Sequence, residues 1–139
     1  MLFDTSSPVV AIHMSFGISA FFVCLFIVIL GMINAKRLGI KPNKITFKIH
    51  KYISLILIAL LAASFFTEAI YFITGTGEDD FEAHGYIGLT ALILSIAQVI
   101  PSLLIKARKK IKLIHSLFGY IIFLLMIIQL LTGLSEIFD

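Results

Sequence analysis

The sequence predicts an all-α integral membrane protein, a four-helix up-down-up-down bundle with both termini on the outer, non-cytoplasmic side. Three observations predict it. The first is composition: 60% of the 139 residues are hydrophobic and 14% charged, with a mean hydropathy of +1.08, too apolar for an ordinary soluble domain. Long apolar runs cover about 14–33, 52–73, 85–105 and 113–134. Each reaches the roughly 20 residues that cross about 30 Å of hydrocarbon at about 1.5 Å per residue. The second is charge. All eleven Lys and Arg fall in two places, Lys36, Arg37, Lys41, Lys44, Lys48 and Lys51, then Lys106, Arg108, Lys109, Lys110 and Lys112. All eight acids lie elsewhere, at Asp4, Glu68, Glu78, Asp79, Asp80, Glu82, Glu136 and Asp139. Basic connections stay in the cytoplasm, which sends the acidic connection and both termini outward. The third is that the only four histidines, His13, His50, His84 and His115, fall one to each of the four apolar segments, near a segment end.

The four spans follow in order, at about 8–34, 46–74, 81–105 and 112–134, within one domain over 1–139. The first starts after Ser6-Ser7-Pro8 and ends near Asn34. Gly39-Ile40-Lys41-Pro42-Asn43 then reads as a loop, because Pro42 forbids a continuous helix. The second runs to Thr74, where Gly75-Thr76-Gly77 breaks it. The third carries a predicted kink at Pro101. Short connections leave no room for an extramembrane domain and give the up-down-up-down order. The N-terminus lacks a basic n-region, which predicts no cleaved signal peptide. Cys24 is alone in mid-span, so no disulfide forms, and C-x-x-C-H is absent, excluding covalent c-type haem attachment. The basic residues sit at helix ends, where they set topology and meet anionic lipid rather than nucleic acid.

Depth sorts the histidines into pairs. His13 and His84 lie near the outer ends of the first and third spans, His50 and His115 near the inner ends of the second and fourth. First and third helices of a ring are diagonal partners, as are second and fourth, so each pair points across the bundle axis. That arrangement predicts two haem b groups, an outer one with His13 and His84 as axial iron ligands and an inner one with His50 and His115. A bis-imidazole iron has no open site and serves electron transfer. A small residue follows each histidine at i+4, namely Gly17, Ser54, Gly88 and Gly119. These share the histidine's helix face and give a flat macrocycle clearance, although small residues also mark ordinary membrane helix interfaces. Zinc suits the arrangement less, since it wants three or four clustered ligands.

The last two spans share an H-x3-G-x9-Q spacing, His84-Gly88-Gln98 and His115-Gly119-Gln129. Gln98 and Gln129 are candidate hydrogen-bond partners for a histidine or a haem edge, or plain interhelical links. Glu68 lies five turns from His50 on the same inward face, near the outer level. Lys48, Lys51, Lys110 and Lys112 stand beside the inner histidines, where snorkelling is their simplest role. Phe21, Phe22, Phe65, Phe66 and Phe123 read as packing. Ligand depths place the two irons on the order of 15–20 Å apart along the membrane normal.

One histidine on each of four consecutive spans, 37, 34 and 31 residues apart, resembles the dihaem core of the cytochrome b561 family. His84-Gly85-Tyr86-Ile87-Gly88 and His115-Ser116-Leu117-Phe118-Gly119-Tyr120 are similar to that family's histidine segments. The resemblance implies two b-type haems, transmembrane electron transfer, and His13, His50, His84 and His115 as axial ligands. The flanking fifth and sixth helices of that family are lacking here.

The leading expectation is therefore a dihaem cytochrome b carrying electrons across the membrane, between a donor and an acceptor such as quinol or other redox proteins. It would be a multi-pass protein of a prokaryotic cytoplasmic membrane, in contact with lipid, alone, as a homo-oligomer or as a subunit of a larger complex. Two alternatives remain open on the residues: a quinone-linked membrane anchor with one haem or none, and a small transporter using histidine and Glu68 as a proton or metal relay.

Overall fold

A computed structural model describes residues 8–73, 83–104 and 109–138. Among these every regular element is helical: α1 (Pro8–Asn34), α2 (Lys44–Ile73), α3 (Ala83–Ala97), α4 (Val99–Leu104) and α5 (Lys109–Phe138). Four spans are long and apolar enough to cross a membrane, Pro8–Asn34, Lys44–Tyr71, His84–Ser102 and Lys110–Ser135. The expected all-α four-span architecture is thus the observed one. The Gly75-Thr76-Gly77 break, the acidic connection and the 105–108 part of the second basic connection lie outside the described residues.

Local chemistry sets the helix ends. α1 closes in a Schellman turn, with Arg37 N–H donating to Met32 O and Lys36 N–H to Ile33 O, both at 2.9 Å. Lys36 takes the left-handed conformation (φ 61°) that this turn requires. α2 starts two residues before the expected Thr46, because Asn43 and Thr46 form a reciprocal capping box. Thr46 N–H donates to Asn43 Oδ1 at 2.8 Å, and Asn43 N–H to Thr46 Oγ1 at 3.2 Å. The Thr46 hydroxyl also donates to Asn34 Oδ1 at 2.7 Å, fastening the end of α1 to the start of α2.

The third span breaks at Gln98, three residues before the expected kink at Pro101. Proline lacks an N–H and its ring crowds the carbonyl four residues back, here that of Ala97, so the distortion falls on the preceding turn. Hydrogen bonds resume on both sides, from Gln98 N–H to Leu94 O at 2.9 Å and from Ser102 N–H to Gln98 O at 3.3 Å. α5 outruns its expected range at both ends, since apolar composition marks the hydrocarbon crossing rather than the helix.

α1 packs on α2 and α5, and α3 on the same two, closing a ring in which α1 and α3 are diagonal, as are α2 and α5. Each of the four long helices gives two residues to the buried core: Ala20 and Cys24, Leu57 and Leu61, Ala91 and Leu92, Ile122 and Met126. Fully buried Ala20 and Ala91 let the backbones approach. Phe22, Phe66 and Leu131 point outward, each about three-fifths exposed, an apolar surface suited to lipid rather than water.

Candidate functional site

The ring brings the histidines together in two pairs. At one end His13 and His84 have ring centroids 5.8 Å apart with planes at 65°. At the other His50 and His115 are 6.2 Å apart at 72°. Each pair spans a diagonal, α1 to α3 and α2 to α5. An imidazole nitrogen binds a transition metal at about 2.0–2.1 Å and lies about 1.1 Å from its ring centroid, so two imidazoles facing one ion have centroids about 6 Å apart. Both pairs meet that spacing. Among the described residues no group of three or more His, Cys, Asp or Glu is clustered for a metal.

Hydrogen-bond partners flank both rings of the His13–His84 pair. His13 Nδ1 lies 3.0 Å from the carbonyl of Ser64 and 3.3 Å from its hydroxyl. A carbonyl only accepts, so this Nδ1 carries the proton and Nε2 keeps a lone pair. His84 Nδ1 lies 3.0 Å from Thr132 Oγ1. That hydroxyl can donate to the carbonyls of Ile128 or Gln129, at 3.1 Å each, which frees it to accept from His84 Nδ1–H. His84 Nε2 is then the bare nitrogen, facing the Gln129 amide at 3.2 Å. This arrangement suits binding of a metal through Nε2 of His13 and His84.

The inner pair is held less firmly. The Gln98 amide nitrogen lies 3.4 Å from His115 Nδ1 and donates to the His115 carbonyl at 3.2 Å. His50 Nδ1 is buried without a hydrogen bond of good geometry, with the Ile27 carbonyl near the ring.

The small residues expected beside the histidines face polar side chains of neighbouring helices. A Cβ built on Gly88 would meet the Gln129 amide at 2.6 Å, one on Gly119 the Gln98 amide at 3.4 Å, and one on Gly17 Ser64 Oγ at 3.9 Å. Ser54 bonds back to the His50 carbonyl at 2.7 Å within its own helix. The two H-x3-G-x9-Q segments are therefore reciprocal, the glutamine of each lying against the glycine and histidine of the other. His84 and Gln98 are 14 residues apart, as are His115 and Gln129, which separates the two levels by about 21 Å, slightly beyond the expected range. Glu68 lines a small cleft at the outer level with Leu61, Ser64, Phe65, Gly88 and Gln129.

Lys48, Lys51, Lys110 and Lys112 are all exposed, consistent with snorkelling. Phe21 and Phe123 stack at 6.2 Å and 19° and, with Phe65, pack on the core, while Phe22 and Phe66 face outward.

Four residues of the site escaped sequence reasoning. Ser64 and Thr132 are the outer Nδ1 partners. Gly133 and Gly31 lie against the rings of His84 and His50, a Cβ on each meeting the ring Cε1 at 2.8 and 3.5 Å. A signal existed for the glycines: Gly17 and Gly31 are 14 residues apart, as are Gly119 and Gly133. That interval, nearly four full turns, keeps both members on one face and puts one at each level.

A comparison with known families matches residues 38–139 to the family described as "Eukaryotic cytochrome b561". The matched stretch holds α2 to α5 with His50, His84 and His115, and begins after His13. No curated protein and no solved structure matches the chain. The eukaryotic description lends no support to a prokaryotic cytoplasmic membrane. With the match covering most of its length, the chain belongs to the cytochrome b561 family and is a multi-pass transmembrane b-type cytochrome, an electron carrier that binds haem b.

Proposed function

We propose that this single domain, residues 1–139, holds two haem b groups and carries electrons from one membrane face to the other. The carrying observation is that two imidazole pairs, each at single-metal spacing, stand at opposite ends of the bundle. His13 and His84 serve the outer iron, His50 and His115 the inner one. Bound by these four histidines, haem b would supply one-electron exchange without binding oxygen.

The chain's own residues do the rest. Ser64 and Thr132 orient the outer rings, Gln98 contacts His115, and Gly17, Ser54, Gly88 and Gly119 keep bulk away from the macrocycles. The apolar core between the levels keeps water out of the path. Charge segregation puts both termini outside and the basic connections inside, so the donor and acceptor are met at opposite faces.

The test is a pyridine haemochrome measurement on purified protein. Two haems per chain are expected. His13→Ala and His84→Ala should each remove the same haem, and His50→Ala and His115→Ala the other. One haem in the wild type, or loss of the same haem from His13→Ala and His50→Ala, overturns the proposal.

A further inference from the structure

The four histidines are not held alike. Both outer Nδ1 atoms donate to acceptors, the Ser64 carbonyl and the Thr132 hydroxyl, each at 3.0 Å. Neither inner Nδ1 makes a bond of that geometry: His115 meets the Gln98 amide nitrogen at 3.4 Å, itself a donor, and His50 Nδ1 is buried with only the Ile27 carbonyl near its ring. Donation from Nδ1–H pushes electron density onto the ring, makes Nε2 more basic and favours the higher oxidation state of the bound metal.

We propose that Thr132 is a positioning residue for His84, and that through it and the Ser64 carbonyl the outer haem takes the more negative midpoint potential of the two. The inference rests on the two-haem reading above. Thr132 is poised for this because its own proton can go to the carbonyls one turn back. Metal held through His84 Nε2 would leave the ring proton on Nδ1, so the hydroxyl accepts there while its own proton turns back along α5. Gln129, three residues earlier on α5, lies 3.2 Å from the opposite nitrogen of the same ring, the one that would hold iron, so haem binding would displace that contact and leave Thr132 as the ring's partner on α5.

Redox titration of purified, haem-loaded protein decides it, followed through the haem absorbance. The wild type should titrate in two steps. Thr132→Val keeps the shape and removes the acceptor, so the lower midpoint should rise while the upper one stays. Thr132→Ser restores the acceptor and should return the lower midpoint toward wild type. A Thr132→Val that moves neither midpoint, or only the upper one, overturns the role of Thr132. Assignment to levels needs no change at Thr132: the single haem left in His50→Ala should titrate at the lower value, and that left in His13→Ala at the upper. The reverse order overturns the proposal even with two haems bound. A wild type with fewer than two haems overturns the two-haem reading instead, and the haemochrome value tells these failures apart.

Discussion

At the scale of single residues, His84 is the most closely confined of the four histidines. Thr132 and Gln129 lie within 3.0 and 3.2 Å of its two nitrogens, and Gly133 leaves just enough room for its ring edge. A methyl at Gly133 would sit 2.8 Å from His84 Cε1, closer than real contacts allow, whereas one at Gly31 would meet His50 Cε1 at an ordinary 3.5 Å. On the proposed two-haem arrangement, Gly133→Ala should therefore weaken retention of the His13–His84 haem by about tenfold, the scale of lost supporting contacts at metal ligands. Gly31→Ala should leave inner retention unchanged. Haem per chain after graded dilution measures both, and equal losses would contradict the contact geometry. The histidines were legible because an imidazole in a lipid-buried span is rare and costly. Ser64 and Thr132 were not, because serine and threonine bond the preceding turn of any helix. Only the ring packing shows which of them also turns toward a histidine.

At the scale of elements, caps and the proline break decide where the helices stop. Asn43→Ala removes one side of the capping box and should destabilise by about 1 kcal/mol. Lys36 occupies a left-handed position that costs an L side chain roughly 1–2 kcal/mol, so Lys36→Gly should stabilise by a similar amount. Unfolding midpoints in mild detergent should move in opposite directions for the two variants. The spans were readable because apolar length is a physical requirement of the bilayer. Their ends were less so, since helices continue past the hydrocarbon once their caps are satisfied. The Asn43–Thr46 box was present in the sequence, but Thr46 alone was read as the start. Pro101 was read correctly as a disruption, while its effect fell on Gln98, because the ring strains the turn before it.

At the scale of the whole molecule, the ring order α1–α2–α3–α5 converts alternating depth in sequence into two diagonal pairs in space. The pairing could be foreseen because an up-down bundle with short connections leaves few other orders. The reciprocal fit of the two H-x3-G-x9-Q segments could not, because a repeat shows likeness without showing which copy faces which. Orientation rests on charge alone, which predicts a labelling result. A cysteine at Asp79 should react with an impermeant reagent from outside intact cells, and one at Lys110 should react only after permeabilisation. The opposite pattern would invert the proposed direction of the bundle.

The dry middle of the bundle has an electrical consequence. Ala20, Cys24, Leu57, Leu61, Ala91, Leu92, Ile122 and Met126 fill the space between the levels, a low-dielectric layer in which a membrane potential drops steeply. The levels are about 21 Å apart in about 30 Å of hydrocarbon, so an electron shared between them crosses about two-thirds of the field, worth about 1.6 kcal/mol per 100 mV. At about 1.4 kcal/mol per tenfold change, 100 mV redistributes that electron roughly fifteenfold between the two ends. On the proposed two-haem arrangement, the protein would sense membrane voltage without any segment having to move.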